Sequence, residues 1–171
     1  QPITGICGSG IIEAVAEMYL TSIITEDGVV DGGLAHRSSR IVQDDRTWSY
    51  VLHTSPDNKT TIVVTQNDIR QIQLAKAALY AGVKLLMDHI GAQKVERIRL
   101  AGAFGSHIDV YHAMVLGLIP DCVLNEVSSA GNAAGTGARI ALLNTQSRRI
   151  IENLVQTIEK IETATEQRFQ E

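Results

Sequence analysis

Three stretches of small residues hold the chemical interest of this sequence: Gly5-Ile6-Cys7-Gly8-Ser9-Gly10, Gly102-Ala103-Phe104-Gly105-Ser106 and Gly131-Asn132-Ala133-Ala134-Gly135-Thr136-Gly137. Each can bring backbone N–H groups up to a phosphate or a nucleotide with no large side chain in the way. None is a GxxxxGK[ST] phosphate loop, Gly102–Gly105 lacks the GxGxxG spacing of a dinucleotide site, and residues 5–10 approach that spacing only loosely. A P-loop NTPase and a simple NAD enzyme are therefore set aside. For 102–106, ligand contact and a plain crossing at a sheet edge weigh equally; for 131–137, close packing is the simpler reading.

The other reactive side chains have simpler explanations. His107, Asp109 and His112 could ligate a metal, but H-x-D-x-x-H is not the H-E-x-x-H pattern and no distant ligand is evident, so capping or packing is favoured. Asp27, Asp31, Asp44 and Asp45 depart from calcium-loop spacing and read as turn and surface residues. Cys7 could act as a nucleophile at a helix N-terminus, yet no histidine is positioned to serve it, and a packed thiol is expected. Trp48 and Tyr50 fall at strand spacing and are expected to pack across a small sheet.

These residues need elements to position them. The first Gly-rich stretch should be a turn feeding a helix through about residue 24, with Ser9 as its cap and Ile11, Val15 and Met18 on one face. Arg40–Gln43, Trp48–His53 and Thr60–Thr65 read as strands of a small antiparallel sheet, with a reversal at 55–59. Thr65 and Asp68 resemble a capping pair, with Asn67 competing. The helix they open should carry Ile69, Ile72, Leu79, Val83, Leu86 and Ile90 on its apolar face and end near Gly91.

Lys94–Ala101 then reads as a strand delivering the 102–106 loop, a common ligand position in α/β proteins. A short helix over 107–116 stopped by Gly117 and Pro120, a strand around Cys122–Leu124, and a second Gly-rich entry into a helix at 128–143 follow. Ile151, Leu154, Ile158, Ile161 and Thr165 mark a last amphipathic helix, expected to pack on the domain and fray near Phe169.

Composition limits what these elements can be. With 171 residues, 44% hydrophobic and 20% charged, the chain supports a folded core and has no apolar run long enough to cross a bilayer. A formal charge of −4, with no dense basic cluster beyond Arg148-Arg149, is unsuited to coating nucleic acid. Two widely spaced cysteines form neither an iron–sulfur nor a structural zinc set and point to reduced thiols in the cytoplasm. Beginning with Gln and not Met, the chain reads as a piece of a longer protein.

Taken together and in order, Gly5–Glu13, Thr65-Gln66-Asn67-Asp68-Ile69-Arg70, Gly102–Asp109 and Gly131–Gly137 resemble the reductive activators of corrinoid-dependent proteins, in their carboxyl-terminal ATPase-like region. The resemblance spans roughly residues 3–145. It implies that residues 1–171 are part of an α/β, actin-like (ribonuclease H-like) ATPase domain with a mixed sheet, flanking helices and a small antiparallel insertion at about 40–65.

It further implies an ATP- and Mg2+-dependent parent that returns cobalt(II) corrinoid to the methyl-accepting cobalt(I) state. A 2Fe-2S cluster in an amino-terminal domain outside this sequence would supply the electrons. Gly102, Ala103, Phe104, Gly105 and Ser106, with Asn132 and Gly135, are then the nucleotide-binding candidates, and Gly8, Ser9 and Gly10 lie near the phosphates or the interlobe cleft. No general base, metal ligand or DxGT-like phosphate loop is assigned, so the chain is expected to be inactive alone. The implied partners are a corrinoid protein or corrinoid-dependent methyltransferase and the remainder of the parent chain; separately, a helix-lined lobe is compatible with a homodimer. A docking lobe without nucleotide binding, and a piece of a sugar or acid kinase of the actin-like class, are the competing readings.

Overall fold

Gly8–Leu20 forms helix α1, and its start shows how local chemistry sets an element in this chain. In the computed structural model, which describes residues 3–161, Cys7 takes the cap position expected of Ser9. Its Sγ accepts from the Gly10 N–H at 3.4 Å, while Ser9 lies inside the first turn. The helix stops at Leu20, short of residue 24. Thr21 Oγ1 donates to the Glu17 carbonyl at 2.6 Å, Ser22 turns left-handed at φ 59°, and Ile24 pairs with Val30 across a tight loop.

The polypeptide divides into two units, residues 1–80 with 108–120, and residues 81–107 with 121–171. The first holds a three-stranded antiparallel sheet, β1 (Ile41–Asp44), β2 (Thr47–Thr54) and β3 (Thr61–Val64), in that order. Asp45, at φ 52°, makes the two-residue turn that joins β1 to β2. Val15, Met18, Ile24, Val30, Ile41, Val64 and Ile69 form one buried cluster, against which Trp48 and Tyr50 pack as expected. Each such side chain contributes about 1.5–3 kcal/mol by leaving water.

Helix α2 (Gln66–His89) opens on the expected cap. Thr65 Oγ1 accepts from the Asp68 N–H at 3.2 Å and Asp68 Oδ2 accepts from the Thr65 N–H at 2.9 Å, so Asn67 plays no part in it. Gln66, the half-buried first residue of the helix, accepts from the Val30 N–H and donates to the Gly28 carbonyl, tying the 24–30 loop to the helix. Ile69 is buried, but Leu79, Leu86 and Ile90 on the expected apolar face are about half or more exposed, at 51, 54 and 73%.

In the second unit β4 is shorter than the 94–101 expected, covering Ile98–Ala101. It pairs in parallel with β5 (Val127–Gly131), not with a strand at 122–124, where the backbone instead leads into a 3-10 turn at Leu124–Glu126. Ser128–Gly131 therefore extend as strand where a helix entry was expected, because ladder bonding to β4 outweighs their weak β propensity. A one-turn helix α3 (Gly102–Gly105) follows β4. Helix α4 (Val110–Val115), belonging to the first unit, is shorter than the expected 107–116.

Helices α5 (Ala133–Leu143) and α6 (Thr145–Val155) follow β5. The last described helix ends at Val155, before Ile158 and Ile161, and its apolar stripe is exposed instead of packed, with Ile150 at 58% and Leu154 at 61%. Thr165 and Phe169 lie outside the described residues. No described helix is long and apolar enough to cross a membrane.

Candidate functional site

β4 and β5 run parallel and adjacent, with Ala101 opposite Gly131, so both strands deliver their carboxyl ends to the same edge. This places Gly102–Ser106 and Gly131–Gly135, about thirty residues apart in sequence, side by side. Gly102 and Gly131 occupy the two strand exits with left-handed φ of 99° and 60°, conformations that a side chain at either position would strain, although a Cβ at either would itself point into open space.

Gly105 has a different reason to be glycine. A Cβ there would lie 3.1 Å from the Leu100 backbone and side chain, so it seats α3 against its own strand. Ser106 closes the turn, its Oγ donating to the Gly102 carbonyl at 2.9 Å. Ala103 and Phe104 lie within α3. Asn132 caps α5, Oδ1 accepting from the Gly135 N–H at 2.9 Å, and its amide fills the space a Cβ on Gly135 would need. The positive end of α5 thus opens at the strand exits, where an anionic group is favoured.

Gly8, Ser9 and Gly10 form the first turn of α1 in the other unit. Cys7 is exposed and not packed as expected. Its thiol is held below the usual range by the Ser9 hydroxyl and then by the Gly10 N–H. Asp109 caps α4 through the His112 N–H at 2.9 Å, the capping role favoured for this segment. Among the described residues no three His, Cys, Asp or Glu side chains converge on a metal-sized site. Asp31 caps a 3-10 turn through the Gly33 N–H, and Asp44 accepts from Ser49 Oγ, so these carboxylates serve turns and a hairpin.

Sequence reasoning missed two features. Gly131 was read as helix entry, yet it is the hinge between strand and cap, signalled only by a glycine directly before an Asn cap. The pairing of His112 Nε2 with Glu17 Oε1 at 2.8 Å carried no local signal at all.

A parallel strand pair whose exits both lead through glycine into helices in one unit, and a small antiparallel sheet in the other, belong to a chain of the mixed α/β actin-like ASKHA class. The whole chain, residues 1–171, matches the family described as the C-terminal domain of RACo, the ASKHA domain, and belongs to it. It is 37% identical over 177 residues to the corrinoid activation enzyme RamQ of Eubacterium limosum, covering 98% of this chain and 30% of that protein. It also superimposes on a reductive activator for corrinoid, iron-sulfur protein with a TM-score of 0.85 and 31% identity, over 97% of this chain and 27% of the other. The chain therefore spans less than a third of the length of these relatives.

Proposed function

We propose that this chain is the nucleotide-binding portion of an ATP-dependent reductive activator, which returns cobalt(II) corrinoid proteins to cobalt(I) with electrons from an iron–sulfur domain outside these residues. The observation that carries this reading is the convergence of Gly102–Ser106 and Gly131–Gly135 at one edge of a parallel sheet, in a member of this family. The relatives' names supply corrinoid activation. The geometry supplies a place where backbone N–H groups and a helix N-terminus can meet an adenosine or phosphate group.

In this reading Gly102 admits the nucleotide by lacking a side chain, Gly105 and Ser106 hold the turn in shape, and Asn132 orients the first turn of α5. Hydrolysis also needs charge stabilisation and a positioned water, which these residues do not supply. Mg2+ commonly takes one or two carboxylates together with substrate phosphates. The site's own segments, 98–106 and 127–137, contain no carboxylate, so the ion's protein ligands belong elsewhere. Cys7 and Cys122 lie in different units and are two thiols where a cluster takes four, so no electron-transfer step is routed through them. The partner is a corrinoid protein or corrinoid-dependent methyltransferase, acting in the cytoplasm.

The test is hydrogen exchange on the full-length polypeptide with and without a saturating nonhydrolysable ATP analogue. Protection should appear at 102–106 and 131–137. Gly102→Asp should weaken analogue binding by at least about tenfold, since it adds volume and charge where the nucleotide is proposed to lie. Asn132→Ala should weaken it less, with about 1 kcal/mol of lost stability from the missing cap. Saturation without protection at either segment would sink the assignment and leave the docking-lobe reading.

A further inference from the structure

Between α1, α2 and the loop 24–28, the first unit holds a cavity of about 140 Å³. Val15, Ile24 and Ile69 line its inner end, and all three belong to the unit's buried cluster. Leu116, just past α4, forms a further side. An aliphatic floor offers water no partners, and an apolar cavity of roughly 150 Å³ stays dry and takes up benzene. The space therefore suits one apolar group of about four to six carbons. It is well below the roughly 300 Å³ at which pockets for larger ligands begin.

The loop wall is held in place by side chains of α2. Gln66 bonds to both the Val30 N–H and the Gly28 carbonyl, and Gln73 Nε2 donates to the Asp27 carbonyl at 3.3 Å. Gly28, at φ 79°, lies so close to the Gln73 amide that a Cβ there would overlap it. The cavity is thus preformed by the fold.

Its mouth carries both signs of charge on different elements. Lys76 reaches from α2 toward the end of α4, where a Cβ on Gly117 would come within 3.0 Å of Cε and 3.3 Å of Nζ. Glu26 stands on the loop. Both are exposed, and neither makes a hydrogen bond or ion pair with another described residue.

We propose that this cavity binds a small aliphatic α-amino acid, with the side chain on the aliphatic floor, the carboxylate toward Lys76 and the ammonium toward Glu26. A fatty acid would bring a like charge to Glu26, and an alkylamine would bring one to Lys76. Only the zwitterion complements both. The inference does not depend on nucleotide binding.

NMR of the full-length protein, with labelled isoleucine methyl groups and without nucleotide, tests it by titration with L-leucine. The methyl resonances of Ile24, Ile69 and Ile72 should shift and saturate with a Kd on the order of 1 mM, as suits a ligand of so few atoms. 4-Methylpentanoate and 3-methylbutylamine each lack one charged group of leucine and should bind about threefold more weakly, the worth of one exposed ion pair. Glycine, without the apolar group, should cause no shift.

Two surface substitutions assign the charges. Lys76→Met should abolish the preference for leucine over 3-methylbutylamine, and Glu26→Gln the preference over 4-methylpentanoate. Equal affinities of the three probes in the unsubstituted protein would reduce the cavity to an apolar hole without charge selectivity. Preferences that survive both substitutions would place the head group elsewhere. No shift of these methyls at about 50 mM leucine, roughly fifty times the expected Kd, would show that the cavity does not admit it. Each of these three results overturns the proposal.

Discussion

Glu17 and His112, ninety-five residues apart, meet at 2.8 Å between Oε1 and Nε2, joining α1 to α4 within the first unit. The hydrogen bond from Glu17 is the main cause that raises the His112 pKa above its ordinary value. Partial burial opposes it and the Asp109 charge assists. Asp109 Oδ1 lies 2.8 Å from Nδ1, within ion-pair range of a nitrogen that is itself buried.

Because folded His112 holds its proton more tightly than unfolded His112, the pair's stabilisation is fully present below the unfolded pKa of about 6.5 and is lost as pH rises through the higher folded value. The first unit should therefore be more stable near pH 6 than near pH 8. Glu17→Gln should flatten that dependence and bring the NMR-titrated His112 pKa down, with a loss at low pH of about 0.5–1 kcal/mol. An unchanged His112 titration in Glu17→Gln would refute the pairing.

Gly32 sits beneath the Trp48 indole, so that a Cβ at this position would run into the ring. Gly32→Ala should destabilise the first unit by about 1–3 kcal/mol through overpacking, seen as a lower denaturant midpoint with unchanged slope. The same substitution made with Trp48→Leu should be milder, because the obstructing ring is gone. Equal effects in both backgrounds would place the strain elsewhere.

The exposed Cys7, with its thiol held low by Ser9 and the Gly10 N–H, should react with iodoacetamide ahead of the half-buried Cys122 at pH 7. Ser9→Ala should slow Cys7 labelling by raising its pKa while leaving α1 folded. Mass spectrometry resolves the two sites, and faster labelling of Cys122 would contradict this account.

Legibility in the sequence followed the range of the interaction. The Thr65–Asp68 cap was readable because both partners lie within one turn, and β1 to β3 because alternating apolar residues and short turns signal an antiparallel sheet directly. The cap of α1 was misread because a thiol accepts a backbone N–H less often than a hydroxyl does, and Ser9 stood nearby as the commoner choice. β5 was invisible because Ser, Ala and Gly carry no strand signal. Only pairing with β4, about thirty residues earlier, makes them extended.

The candidate site divides in the same way. Its glycines were evident from residue type, and the order of four motifs along the chain sufficed for the family. Their meeting at one sheet edge was decided by the parallel register of Ala101 against Gly131. Amphipathic periodicity told which face of α6 is apolar, but not whether anything covers it, since periodicity records a helix's own preference while burial depends on neighbours brought in from elsewhere. Local hydrogen bonding and spacing were thus determined by the sequence itself, and tertiary structure decided which distant backbone exits coincide and which apolar faces remain open.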